Sequence, residues 1–317
     1  MIERTAGFTA FLLACALLAP GLPATAATPA PAAKERSDYA DARFTTPLAA
    51  GLKFFYARSF KESQKEFEAA LRIFPDNTLA MSFMNAAAAQ QQGELEVLAN
   101  VEEDAVSGLP KSYANRVKLG FTYMFQSALG RDRSTDAREE LNNAVALNGE
   151  AAAAHVGLGI MRFNERSANR AKTELQQALK ADPNNVLARE YLGQLYQTDL
   201  RDPQRGLSYV IDVPNLVPGY ADILFHIGSL LHDLKQPQAA IGYLRRGIDI
   251  DTGHVGEAGQ HGYTLIARIL IDEKKIPDAQ KVLNEAVKAD VDTIYAKTLL
   301  AKIKAGDYGG VPSPKPK

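Results

Sequence analysis

Between residues 44 and 305 the apolar positions follow the three-to-four spacing of amphipathic helices, with Lys, Glu and Gln on the opposite faces, as in 61–68 and 172–177. Breaks in this pattern fall at Pro75, Pro110, Gly149, Pro183, Pro218, Thr252 and Val291. The intervals between them are 35, 39, 34, 35, 34 and 39 residues. A near-constant period of that length predicts stacked copies of one helical hairpin, because a single hairpin cannot bury its own apolar face.

The copies carry small residues at matching places. Residues 152–185 have Leu158-Gly159, then Ala171, Leu175 and Ala178, then Asp182-Pro183. Residues 186–219 have Leu192-Gly193 and Tyr196, with Gly206, Val210 and Pro218. Residues 221–254 have Ile227-Gly228, Ala240, Leu244 and Gly247, and residues 260–293 have Ile266-Ala267, Ala279, Leu283 and Ala286. Upstream, residues 113–151 have Leu119-Gly120, Tyr123, Ala137, Leu141 and Ala144, with extra residues expected between two helices around 130–134. Residues 44–77 have Gly51, Phe54, Phe67, Ala70 and Pro75, while 78–112 keep the length and few of the marks. The Gly or Ala of each first helix and the Ala of each second let two backbones approach closely. Pro then ends the pair, since it has no N–H and restrains the residue before it.

This pattern resembles the tetratricopeptide-repeat family over roughly residues 44–293, although no unit has the family's Trp. The resemblance implies an all-α, right-handed superhelical solenoid spanning 44–306. It would hold about seven antiparallel helix pairs, near 44–77, 78–112, 113–151, 152–185, 186–219, 221–254 and 260–293. Residues 293–305 (TIYAKTLLAKIKA) suit the capping helix that ends such arrays.

The ends read differently. Residues 1–26 form a secretory signal: Arg4, an apolar run over 8–18, then Ala24-Thr25-Ala26 as a cleavage site. The apolar run is too short for a transmembrane span, which needs about 20 residues. A periplasmic or secreted protein is expected. Leu12-Leu13-Ala14-Cys15 offers a second reading, a lipobox with lipid tethering through Cys15. Residues 27–43, Pro/Ala-rich and then charged, read as a flexible linker, and 307–317 as a disordered tail.

Composition narrows the function classes. Lys+Arg 36 against Asp+Glu 37 gives a net charge of -1, which lacks the basic excess of a nucleic-acid binder. One cysteine excludes a disulfide framework and a multi-cysteine metal site. There is no Gly-rich phosphate loop, G-x-S-x-G elbow or H-E-x-x-H, so no enzyme and no cofactor is expected. His155 takes an aromatic core position. His226, His232, His254 and His261 lie near Asp222, Asp233, Asp251 and Glu257 in sequence, and a metal or catalytic site built on them is a minor alternative. The Gly-rich run 251–262 reads as a lengthened loop.

The family resemblance further implies that first helices line a concave groove for a peptide or helix. Its N-terminal half would present Leu52, Phe55, Tyr56, Phe121, Met124, Phe125, Ile160 and Phe163. Its C-terminal half would present Glu190, Gln194, Gln197, Asp222, Ser229, His232, His261, Arg268 and Asp272. An apolar end would hold the partner and a polar end would orient it. The Lys, Asn and Arg of a chaperone-type carboxylate clamp are missing from the corresponding places. The expectation is a non-catalytic scaffold or adaptor for another envelope protein, with a lipid-anchored assembly factor for secretion, pilus or polysaccharide-export machinery as the alternative.

Overall fold

A computed structural model describes residues 38–306. The expected signal sequence with Cys15, residues 27–37 of the expected linker and the expected tail, 307–317, lie outside the described residues. Among the described residues all regular structure is helical. The pairs are α1 (Ala42–Tyr56) with α2 (Phe60–Leu71), α3 (Thr78–Gln92) with α4 (Leu95–Gly108), and α5 (Tyr113–Ala128) with α6 (Ser134–Leu147). Next come α7 (Ala152–Asn164) with α8 (Ala168–Ala181), and α9 (Val186–Thr198) with α10 (Pro203–Val210), the latter followed by a single turn, α11 (Val213–Leu216). Then follow α12 (Ala221–Asp233) with α13 (Pro237–Ile250), α14 (Glu257–Asp272) with α15 (Ile276–Lys288), and a closing helix α16 (Thr293–Lys304). Each first helix packs on its own second helix and on the first helix of the next pair. This is a solenoid of seven helix pairs with a terminal helix.

The small residues of the repeat hold the pairs together. A Cβ added at Gly51, Gly120, Gly159, Gly193 or Gly228 would stand 2.6–2.9 Å from Phe67, Leu141, Leu175, Val210 or Leu244 of the second helix. That is inside contact distance, so the large side chain sits directly on the glycine backbone. Those five partners are fully buried. Cores at this density tolerate neither a gap nor an extra methyl.

The turn inside each pair also repeats. Arg58, Gly93, Gly130, Arg166, Arg201, Lys235 and Lys274 all have positive φ, between 53° and 88°. In six of these turns the next residue donates its N–H to a carbonyl five residues back, as Ser167 does to Arg162 at 2.9 Å and Gln236 to Leu231 at 2.9 Å. This is the Schellman closure, which satisfies carbonyls left open at a helix end. Five of the seven left-handed positions hold Arg or Lys rather than Gly.

Three segments depart from the sequence reading. The flexible linker stops before residue 43: Asp38–Ala40 form a 3-10 turn, and α1 starts at Ala42 with Asp41 accepting the Arg43 N–H at 2.9 Å. Tyr39 anchors this start, packing edge-on against Phe44 with ring centroids 5.8 Å apart. In the third unit part of the insertion lengthens the first helix, so α5 has 16 residues where α7 has 13. In 251–262 the lengthened loop takes only residues 251–256, six where most joins between repeats have four, and α14 begins at Glu257. The wholly buried Asp251 carboxylate accepts N–H bonds from Gly256 at 2.8 Å and Gly259 at 3.2 Å, which caps the helix start. Gly259 leaves room for that carboxylate, which a Cβ there would crowd at 2.5 Å, and Gly256 leaves room for the carboxylate of Asp222.

Substituting Gly159→Ala is expected to lower unfolding free energy by roughly 1–3 kcal/mol, the range for overpacking a filled core. At the turns, Lys235→Gly should raise it by about 1 kcal/mol and Gly93→Ala should lower it by about as much, because a Cβ in the left-handed region is strained. Denaturant midpoints of the three variants check both effects.

Candidate functional site

The first helices α1, α3, α5, α7, α9, α12 and α14 form one face of the array. At its N-terminal end the aromatic side chains pack on one another. Phe55, Phe83, Phe121 and Phe125 form a cluster with ring centroids 5.0–6.0 Å apart. Phe83 is the hub, since it also stacks on Phe67 at 5.7 Å.

That clustering corrects the expected apolar groove. Phe121 is 0% exposed, and Leu52, Phe55, Phe125 and Ile160 are also buried. They fill the space between repeats, because each first helix has a neighbour on both sides and Phe83 supplies the covering ring. Met124 and Phe163 are half-buried against the same core. Tyr56 alone stands well out, at 54% exposure.

The polar end holds the accessible chemistry. Tyr56 reaches across to α9, where its hydroxyl lies 3.3 Å from that of Tyr191. Phe163 meets the Tyr191 ring edge-on at 5.5 Å. Beside it, Glu190 accepts a hydrogen bond from the Tyr220 hydroxyl at 2.5 Å. Asp222 accepts the Ala258 N–H at 3.2 Å. Lys53 of α1 is paired with Asp251 at 3.2 Å. Surrounding protein raises Glu190 to about 8; the Tyr220 hydrogen bond opposes that rise, and the charges of Asp222 and Glu257 add to it. Burial likewise raises Asp222 to about 7, with the Ala258 N–H and Lys53 pulling the other way. The face is therefore lined by tyrosine hydroxyls and by carboxylates that repel one another.

The other sequence-predicted residues are spread along the array. Gln194 is half-buried on α9, and Gln197 donates to Ser229 at 2.9 Å and Asp233 at 2.6 Å. His232 lies 3.8 Å from Asp272, and His261 lies 3.5 Å from Asp292, which also accepts the Thr264 hydroxyl at 3.0 Å. Arg268 is half-buried on α14. His155 is a core residue held by Glu174 at 2.8 Å and the Gly149 carbonyl at 3.2 Å.

The four later histidines do not converge. His226 is buried with neither ring nitrogen hydrogen-bonded, and burial lowers it to about 4, so it packs as a neutral ring. His254 rests near Tyr263. Among the described residues no three His, Cys, Asp or Glu side chains are placed to hold one metal ion. Lys53, Tyr191, Tyr220, Asp251 and Glu257 escaped the sequence reading as a set. Tyr191 was adjacent to a named groove position, but nothing local in the sequence joins Lys53 to Asp251.

The geometry now defines the class: a helical-repeat protein whose first helices share one face. Tetratricopeptide-repeat family models match residues 124–171 and 221–254. Those two segments are tetratricopeptide repeats, and the helix pairs around them continue the same fold. Among solved structures it is similar to YrrB, described as a TPR protein with an unusual peptide-binding site, at 19% identity and a TM-score of 0.51, covering 64% of this chain and 98% of that one. It is also similar to PilF of Pseudomonas aeruginosa, at 16% identity and a TM-score of 0.55, covering 72% of this chain and 98% of that one. At such identities the likeness is one of fold. No curated protein sequence matches the chain. Among the described residues no helix is long and apolar enough to cross a membrane.

The raised carboxylates give a signed pH dependence. A folded-state value above the unfolded one means that the folded protein holds more protons. Stability from these groups is complete below about 4, the unfolded carboxylate value, and is lost as pH rises through about 7 for Asp222 and about 8 for Glu190. Glu190→Gln and Asp222→Asn keep an acceptor oxygen and remove the charge. Both variants should gain thermal stability relative to the parent as pH rises from 5 to 9, with little difference at pH 5. Melting curves across that range test the sign.

Proposed function

We propose that this chain is a non-catalytic protein-interaction scaffold of the cell envelope that receives a partner segment on the face built by its first helices. The observation that carries the reading is Tyr56. It stays 54% exposed although its hydroxyl meets Tyr191 four repeats away. An accessible surface of tyrosine and carboxylate therefore remains where distant repeats face each other. Tyrosine offers a large apolar body with a polar tip and ranks among the residues that dominate interfaces. The neighbouring Glu190, Asp222 and Glu257 favour a partner segment that brings positive charge. A peptide-binding site in YrrB, a protein of the same fold, supports a peptide as the kind of occupant.

The envelope location rests on residues 1–26 with Ala24-Thr25-Ala26. The second reading, a lipid-anchored assembly factor, rests on Leu12-Leu13-Ala14-Cys15.

Two measurements test this. A photo-crosslinking residue at Tyr191 or Glu257 should give a discrete protein adduct in cells, whereas one at Thr173, exposed on the second helix α8, should give none. Adducts from Thr173 alone would remove the inner-face assignment. Intact mass of the exported protein should place the new N-terminus after Ala26. Recovery of the chain only with the cytoplasmic fraction, Met1 retained, would refute the envelope location, and an acylated Cys15 would select the lipid-anchored form.

A further inference from the structure

Helix α1 packs on α2 and α3 as any first helix does, yet its flanks also reach repeats far along the chain. Tyr39 accepts a hydrogen bond from Asn185 at 3.3 Å, at the N-terminus of α9. Thr45 donates its hydroxyl to the Leu216 carbonyl at 2.9 Å. A Cβ on Gly219 would touch the Thr46 methyl at 3.9 Å. Lys53 is paired with Asp251 at 3.2 Å, and Tyr56 meets Tyr191 at 3.3 Å. These partners lie in repeats five and six or at the joins that flank them.

The seam looks built rather than incidental. Leu216 ends α11, the single turn left where the second helix of repeat five breaks after Val210. That break leaves a carbonyl at the C-terminal end of the turn, and Thr45, 0% exposed, supplies the donor that a buried carbonyl needs. Asp251 is wholly buried and already caps α14, so Lys53 adds a cation to a carboxylate that is fixed in place. A cavity of about 10 Å³ remains beside Tyr39, room for one water. The seam is also thin. Neighbouring repeats join by extended helix packing, whereas α1 shares no such packing with α9, α12 or α14. A contact made of a few hydrogen bonds and one ion pair is where local opening comes easiest.

We infer that α1 is a latch: the first repeat clasps repeats five and six, and release of Thr45 and Lys53 opens the tyrosine and carboxylate face. Opening detaches α1 from the far repeats and leaves it held by α2 and α3 alone, so that local unfolding of α1 costs less. What the latch controls rests on the inner-face reading above; the latch itself is tested without any partner.

Hydrogen exchange of the full-length chain reads it directly. Thr45→Val with Lys53→Met should speed exchange of α1 amides about tenfold or more, the weight of one charge-assisted hydrogen bond, while α7 keeps its protection. Nitration of Tyr191 and Tyr220 by tetranitromethane should accelerate in parallel. A second variant, Thr46→Cys with Gly219→Cys in a Cys15→Ser background, locks the seam when oxidised. Oxidation should slow α1 exchange and tyrosine nitration below the parent, and reduction should restore both. Unchanged α1 exchange on release and on locking would overturn the latch. So would equal acceleration of α1 and α7, which is loosening of the whole fold. Adduct loss in the crosslinking experiment with α1 opening as described would instead refute only the binding reading.

Discussion

The rest of this structure depends on the seat that a second helix takes on a glycine of the first. At Gly159 the Leu175 side chain stands where a Cβ would be, and Gly120 with Leu141 and Gly228 with Leu244 repeat the arrangement. The seat fixes how far apart the two helix backbones run. That separation in turn sets which apolar side chains project toward the next pair, because packed interiors leave no slack to absorb a change of spacing. In repeats two and seven the matching places hold the fully buried Ala86 and Ala267, the largest side chain used there. A repeat array adds such joins in series, so one spacing propagates through the fold.

The turn within each pair answers a second constraint. Successive helices can run back on each other in so few residues only if the chain takes a left-handed step, and the Schellman hydrogen bonds then close the helix end. Arg and Lys hold that step at five turns. Their strain persists because the flanking helices are each anchored by the glycine seat, so the turn has no other conformation that keeps both helices in contact. Solvent-exposed basic residues there also lie near the negative end of the helix they follow.

These local rules explain how much of the fold was legible in the amino-acid sequence. Gly–Leu seats, Ala positions and Pro breaks all act within one period, so their spacing announces the pairs. Legibility failed where the deciding neighbour belonged to another repeat. Phe55, Phe121 and Phe125 have the spacing of groove residues, yet Phe83 buries them, and Phe83 comes from the repeat with the fewest recognisable marks. The Gly-rich run 251–262 resembled a loop throughout, yet Gly256 and Gly259 are small because the carboxylates of Asp222 and Asp251 press against them, a role that composition alone does not reveal. The contacts of α1 are harder still. Thr45 to Leu216 and Lys53 to Asp251 span 171 and 198 residues, and neither has a periodic counterpart.

The two parts of the site are linked through charge. Glu190, Asp222 and Glu257 each raise the others or are raised by them, and Lys53 is a cation that lowers Asp222. Lys53 therefore does two things at once: it closes the first repeat onto the end of the sixth, and it offsets repulsion among the carboxylates it faces. Neutralising those carboxylates, by protons or by the positive side chains of a partner, weakens the attraction that holds Lys53. Withdrawing Lys53 correspondingly leaves the carboxylates a stronger site for positive charge. Thermodynamic linkage requires the two effects to be equal in free energy. On the proposed reading, a closed first repeat and an occupied acidic face compete for one set of charges, so that the first repeat would regulate the face it covers.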